Sequence, residues 1–100
     1  MDRDERIAYF EEMIKKKDAI IMRLAEEIAS ATKRRDKLLE KEVLTTNETN
    51  RLKVIEEEDL PDMRGREKRL ATEIVKHETE LSALKHPKEL ADASVPAQGM

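Results

Sequence analysis

The amino-acid sequence predicts an all-α fold: a long-helix coiled coil with a helical hairpin or kink around residues 45–62, assembling as a dimer. Charged residues make up 43% of the 100 residues, against about 25% in an ordinary globular domain. The chain has one Phe, one Tyr and no Trp, which is too few bulky side chains to fill a thick core. Isoleucine and leucine instead recur at seven-residue spacing, as in helices that bury a narrow apolar stripe.

Residues 1–44 are expected to form a single long coiled-coil helix. Asp2 precedes Glu5 by three residues, the spacing of a helix-capping pair, and acidic side chains suit the first turn of a helix. Neither glycine nor proline follows before Leu44. A helix of roughly 60 Å, at about 1.5 Å per residue, requires a partner along its side.

The seven-residue repeat, with positions labelled a to g, defines the apolar stripe of this helix. Its a and d positions, together called the seam, carry Ile7, Phe10, Ile14, Ile21, Leu24, Ile28, Ala31 and Leu38. Lys17 is a polar interruption at d, and isoleucine at a with leucine at d favours a parallel two-stranded coil. The stripe is widened at the flanking g and e positions by Met13, Ile20, Ala25 and Leu39. A wide stripe favours contact with two neighbouring helices, so a parallel pair and a helical hairpin both stay open.

Residues 45–62 are expected to break the helix with a short helix and an acidic linker. Threonine and asparagine, which weaken helices, fill five of the six positions from 45 to 50. Thr45 with Glu48 has the spacing of a capping box, which predicts that a new helix begins near residue 47. Four consecutive acidic residues, 56–59, precede Pro61, and Asp59 is a candidate N-cap for the next helix. A chain reversal here would allow a dimer of hairpins, which is a four-helix bundle.

Residues 63–86 are expected to form the second coiled-coil helix. Its seam residues follow spacings of 4, 3, 4 and 3 and are Leu70, Ile74, His77, Leu81 and Leu84. His77 lies four residues after Glu73, and three interpretations are open: a polar seam residue that pairs across helices, a pH-sensitive interface, or a metal ligand. Pro87 ends the helix, and residues 87–100 are expected to be a disordered tail.

The composition argues against catalysis and against cofactor, metal or nucleic-acid binding. With no cysteine, two histidines and two glycines, the chain lacks a thiol nucleophile, a thiolate metal site and a phosphate-binding glycine loop. The net charge is −3 and the pI about 5.5, unlike the basic footprint of a nucleic-acid binder. The sequence shows neither a membrane-length apolar run nor a secretory signal. We therefore expect a non-enzymatic intracellular protein, cytoplasmic, cytoskeleton-associated or nuclear, without a cofactor or small-molecule substrate.

Two functional hypotheses follow from the pattern. The first is an oligomerisation or scaffold module that self-associates as a homodimer and links a larger protein or complex. Its predicted interface is the seam of both helices: Ile7, Phe10, Ile14, Ile21, Leu24, Ile28, Leu38, Leu70, Ile74, His77, Leu81 and Leu84. The second is a helical recognition module that binds another protein, such as a small GTPase or a cytoskeletal surface, or, less favoured, RNA. Its predicted basic patch consists of Lys33, Arg34, Arg35, Arg64, Arg66 and Arg69.

Overall fold

A computed structural model describes residues 2–86, which form an elongated helical hairpin. Helix α1 spans Arg3–Leu39, α2 spans Thr46–Val54, a π-helical turn spans Ile55–Asp59, and α3 spans Leu60–Lys85. The last three elements follow one another without a gap and make one arm that runs antiparallel to α1. No strand occurs within residues 2–86. The prediction of an all-α, long-helix fold is confirmed, and the predicted tail, residues 87–100, lies outside the described residues.

Helix α1 begins as predicted and ends five residues early. The Asp2 side chain accepts a hydrogen bond of 2.8 Å from the backbone N–H of Glu5. The helix was expected to continue to Leu44, which in a continued helix would occupy a c position and point away from the seam. The chain instead leaves the helix after Leu39, and Leu44 folds back, half-buried, onto the apolar residues at the bend. The early end of α1 therefore allows Leu44 to join this apolar cluster.

The chain reverses within residues 40–45, and a complete capping box starts the second arm. The Thr45 hydroxyl accepts from the N–H of Glu48 at 3.1 Å, and the Glu48 carboxylate accepts from the N–H of Thr45 at 3.0 Å. These reciprocal bonds satisfy two N–H groups that a helix start leaves without partners. Lys41, in the reversal itself, forms an ion pair with the same carboxylate. Glu48 therefore ties the loop to the first turn of α2.

Acid is expected to weaken the interactions of Glu48 with Lys41 and Thr45. The hydrogen bond from Lys41, followed by that from the Thr45 backbone, lowers the pKa of Glu48 from 4.5 to about 2. Because the folded-state pKa is depressed, the stabilisation is complete above pH 4.5 and is lost as the pH falls from 4.5 towards 2. Glu48→Gln, which keeps a capping side chain, should therefore flatten the dependence of Tm on pH in that window. Thermal unfolding followed by circular dichroism measures this, and parallel curves for the two proteins would contradict it.

The predicted break across residues 45–62 is wrong in its second half, because the chain stays helical from Thr46 to Lys85. The acidic linker is the π-helical turn, in which the N–H of Leu60 donates to the carbonyl of Ile55, five residues earlier. Asp59 has helical dihedral angles and makes no side-chain cap. Pro61 fits directly after the turn: it has no N–H to satisfy, and the wider winding makes room where an α-helix would press the ring against a carbonyl.

The π-helical turn also keeps the apolar residues of the second arm in one row. From Leu60 to Leu84 the covered positions are spaced by 3 or 4, as in a regular seam. An uninterrupted α-helix would continue that row to Glu56 and Lys53, which are exposed. The apolar residues are one position earlier, at Ile55 and Leu52. One extra residue in the turn rotates these two side chains back towards α1.

The best-covered part of the hairpin lies beside the bend. Ala31, Leu38, Ile55 and Leu60 form a buried cluster in which Ala31 is fully covered and Leu60 is 2% exposed. Half-buried neighbours complete the cluster: Ile28, Leu44, Leu52 and Met63. Towards the open end, only Leu24 and Ile74 of the seam are buried to the same degree. Apolar packing is therefore strongest at the bend and thinner along the rest of the hairpin.

Candidate protein-interaction surfaces

The residues predicted as an oligomer interface lie between the two arms of one chain. On α1 they are buried or half-buried at every seam position from Ile7 to Leu38, and on α3 from Leu70 to Leu84. The row also includes residues that were not in the predicted interface: Ala31, Leu52, Ile55, Leu60 and Met63. From Leu52 to Met63 the apolar residues are spaced by 3, 5 and 3. The step of five is one residue longer than a heptad allows, so the seven-residue pattern does not predict these positions.

A polar layer crosses the seam near its middle. The Lys17 ammonium lies 2.8 Å from Nε2 of His77 and 3.1 Å from a carboxylate oxygen of Glu73. An ammonium can only donate, so Nε2 of His77 accepts. The Lys17 side chain is 16% exposed, and the Phe10 ring lies 5.7 Å from the imidazole. His77 is thus a polar seam residue paired across helices, and such a layer favours one register over its alternatives.

The open end of the hairpin is held by charged side chains. The guanidinium of Arg3 donates to the carbonyls of Leu84 and Lys85 at 2.7 and 3.3 Å. A cation suits the carbonyls at the end of a helix because they carry the negative end of its dipole. The Lys85 ammonium also lies 3.3 Å from the Glu11 carboxylate. When the heptad positions of α3 are assigned with Ile74 at a, Glu11 and Lys85 both occupy e positions. The e positions of the two arms therefore lie on the same side of the hairpin.

That side of the hairpin carries exposed or half-buried apolar residues, here called the apolar face: Ala19, Met22, Val75 and Leu81. Met22 and Val75 occupy b positions, next to the e row, and are 68% and 60% exposed. A groove of about 530 Å³ opens between the arms, lined by Glu11, Ile14, Lys15, Asp18, Ala19, Met22 and Leu81. The apolar face is therefore a surface on which a further helix could pack.

The predicted basic patch is not assembled as expected. Arg35 occupies a seam position, where it is half-buried and its guanidinium binds Asp36 at 3.0 Å. Arg34 faces the second arm, where Asp59 and Asp62 line a shared pocket. Lys33 is exposed on α1. The three basic residues of α3, Arg64, Arg66 and Arg69, are exposed but line neither of the pockets that contain Arg34.

A different basic surface, here called the basic groove, lies beside the bend on the side opposite the apolar face. It has a volume of about 490 Å³. Its apolar floor consists of Leu38, Val54 and Ile55, and its basic side chains are Arg34, Lys37, Lys41 and Arg51. Arg34 occupies a g position of α1, across the seam from the e row. The sequence did not point to Arg51, because only the chain reversal brings it next to α1.

Two further kinds of feature are absent from residues 2–86. This range contains no group of three or more histidine or acidic side chains arranged to hold a metal ion. None of its helices is long and apolar enough to cross a membrane. Among known proteins, the chain matches no family model, no curated protein and no solved structure. The apolar face and the basic groove therefore remain as the candidate functional surfaces.

Proposed function

We propose that the chain is a non-catalytic oligomerisation and scaffold module, in which two hairpins pair through the apolar face to form a four-helix bundle. The observation that carries this proposal is the exposure of Met22 and Val75 on the same side of the two arms. These two are the most exposed large apolar side chains of α1 and α3, and large apolar side chains in water that share one side of a molecule are typical of an interaction surface. A second hairpin would cover them and leave the ends of the bundle available to link other parts of a complex.

Incomplete coverage of the seam supports the same proposal. Ile14, Ile21 and Leu81 lie in the seam but are only half-buried, because a single layer of two helices covers each seam residue from one direction. Burying a side chain of this size completely contributes about 1.5–3 kcal/mol relative to leaving it exposed. Packing a second layer on the apolar face would recover part of that energy from each residue near the groove.

The charges around the groove of the apolar face are self-complementary, which favours a second copy of the chain as its occupant. In a two-fold dimer each contact occurs twice, with residue i of one copy facing residue j of the other. If α1 runs antiparallel to its copy around an axis midway between Lys15 and Asp18, each Lys15 faces the other copy's Asp18. The same arrangement brings Ile14 opposite Ala19. The contact between Lys15 and Asp18 therefore occurs twice in the dimer, each time between opposite charges.

Met22→Glu is expected to separate the dimer and leave the hairpin folded. A carboxylate at this 68%-exposed position costs the isolated hairpin only about 0.2–0.5 kcal/mol for each of its like-charged neighbours one turn away, Asp18 and Glu26, but would lose its hydration inside the proposed interface. Light scattering across a hundredfold concentration range should give about 23 kDa for the wild type, twice the 11.6 kDa chain, and about 12 kDa for the variant. Tyr9→Glu, which puts the same charge on an exposed c position on the other side of α1, should keep the dimer.

A charge exchange tests the arrangement itself. Asp18→Lys alone should weaken association, because each Lys15 would then face an ammonium of the other copy in place of a carboxylate. Lys15→Asp together with Asp18→Lys should restore association, because opposite charges face each other again. Circular dichroism checks that helicity is unchanged in both. A wild type that stays monomeric at all concentrations, or a dimer indifferent to Met22→Glu, would overturn the proposal.

A further inference from the structure

The basic groove combines an apolar floor with an excess of positive charge. Leu38 and Ile55 are buried beneath it, while Val54 is partly exposed at 43%. Four cationic side chains line the groove against the single carboxylate of Asp59. A solvated basic surface needs no apolar floor, and an ordinary apolar gap needs no ring of cations. The two features together describe a surface for a ligand that is both apolar and acidic.

Most of this positive charge forms no direct ion pair within residues 2–86. Lys41 pairs with Glu48, but Arg34, Lys37 and Arg51 form no ion pair in the described part of the chain. They come from both arms, so the reversal of the chain is what concentrates them. Unpaired cations around a low-polarity floor attract an acidic ligand more strongly than the same cations dispersed in water.

The π-helical turn builds one wall of the groove. Ile55, the first residue of the turn, lies in its floor, and Asp59, the last, lies at its edge. The extra residue widens the backbone within the buried cluster that joins α1 to the second arm. Single π-helical turns within α-helices occur frequently at functional sites. The turn is therefore a second feature, independent of charge, that distinguishes this place from the rest of the hairpin.

We propose that the basic groove binds an acidic amphipathic helix from a partner protein, with its apolar side chains on Val54 and Ile55 and its carboxylates on Arg34, Lys37 and Arg51. This is recognition of a helix in a groove, where apolar residues at i, i+3 or i+4, and i+7 anchor the ligand. A nucleic-acid backbone or an inorganic phosphate would satisfy the cations but make no use of the apolar floor. No aromatic side chain lines the groove, so it offers no stacking platform for bases.

The test uses the full chain and a fluorescent designed peptide of about 18 residues, or five helical turns, with leucine on one face and glutamate on both flanks. Fluorescence anisotropy should show saturable binding. Lys37→Glu with Arg51→Glu should weaken it about tenfold or more, and so should raising the salt concentration, because both weaken the ionic contacts. A peptide with the same composition but scrambled leucine positions should bind about tenfold more weakly than the designed peptide.

A matched variant separates the groove from the overall charge of the protein. Lys33→Glu with Arg69→Glu makes the same change of net charge at two exposed residues that do not line the groove. It should leave the affinity for the peptide within about twofold of the wild type. Equal losses in the two double variants would overturn the proposal, because they would show attraction to net charge alone.

Two further outcomes would show that the basic groove does not bind an acidic helix. Binding to vesicles of phosphatidylcholine with about a third phosphatidylserine, without binding to the peptide, would overturn the proposal in favour of a membrane surface. No saturable binding to the peptide would also overturn it. This inference is independent of the proposed dimer, because the two surfaces lie on opposite sides of the hairpin. Met22→Glu should therefore bind the peptide as the wild type does, even if that variant is monomeric.

Discussion

Leu60→Ala is expected to lower the free energy of unfolding by about 2–5 kcal/mol. Leu60 is 2% exposed and belongs to the buried cluster that joins the arms at the bend, with Ala31, Leu38 and Ile55. Truncation would remove apolar contacts and leave a cavity, and Ala31 on the facing helix is too small to fill it. Native domains are stable by only about 5–15 kcal/mol in all. Urea unfolding followed by circular dichroism measures the loss.

Leu39→Ala is the matched control for this prediction. It makes the same chemical change near the bend, but Leu39 is 57% exposed. Its effect should stay within about 0.5 kcal/mol, as for most surface substitutions. Comparable losses in the two variants would mean that Leu60 is not buried in a cluster between the arms.

Removing Glu57 together with Pro61→Ala is expected to leave the hairpin at least as stable as the wild type. The deletion shortens the step from Ile55 to Leu60 from five residues to four, so an ordinary α-helix keeps both in the seam. Replacing Pro61 is necessary because a proline inside a regular α-helix costs about 3 kcal/mol. Thermal unfolding should give a Tm equal to or above that of the wild type.

The same deletion elsewhere in the second arm should have the opposite effect. Removing Lys68 together with Pro61→Ala shortens the step from Glu67 to Leu70 from three residues to two. The rest of α3 is then rotated by about 100° relative to the bend, so its remaining seam residues no longer face α1. Tm should fall by about 10 °C or more. If both deletions were equally damaging, the π-helical turn would not be a correction of register.

The regular part of the hairpin could be predicted from the sequence. The a and d positions of α1 are covered from Ile7 to Leu38, and those of α3 from Leu70 to Leu84, because a seven-residue repeat determines which side of a helix is apolar. The capping residues Asp2 and Thr45 were also readable from local spacing. These features depend on residues within a few turns of one another, where helix geometry is constant.

The bend could not be predicted in the same way. Its position is accompanied by packing of Leu44 onto a cluster that is drawn from both arms, an energy that helix propensity does not include. Pro61 and the acidic residues before it suggested a break, because a π-helical turn differs from a regular seam by one residue of spacing. The basic groove could not be predicted for the same reason. Arg34 and Arg51 are neighbours only because the chain reverses at residues 40–45.

The measurement that tests the central claim most directly is the distance between the arms within one chain. The chain has no cysteine, so Glu11→Cys with Lys85→Cys allows spin labels at two exposed residues whose side chains lie 3.3 Å apart. Pulsed electron paramagnetic resonance should show a short distance that persists when the labelled protein is diluted about tenfold with unlabelled protein and refolded with it. A distance that lengthens towards the roughly 110 Å of a straight helix, or a short distance lost on dilution, would show that the seam does not close within the chain.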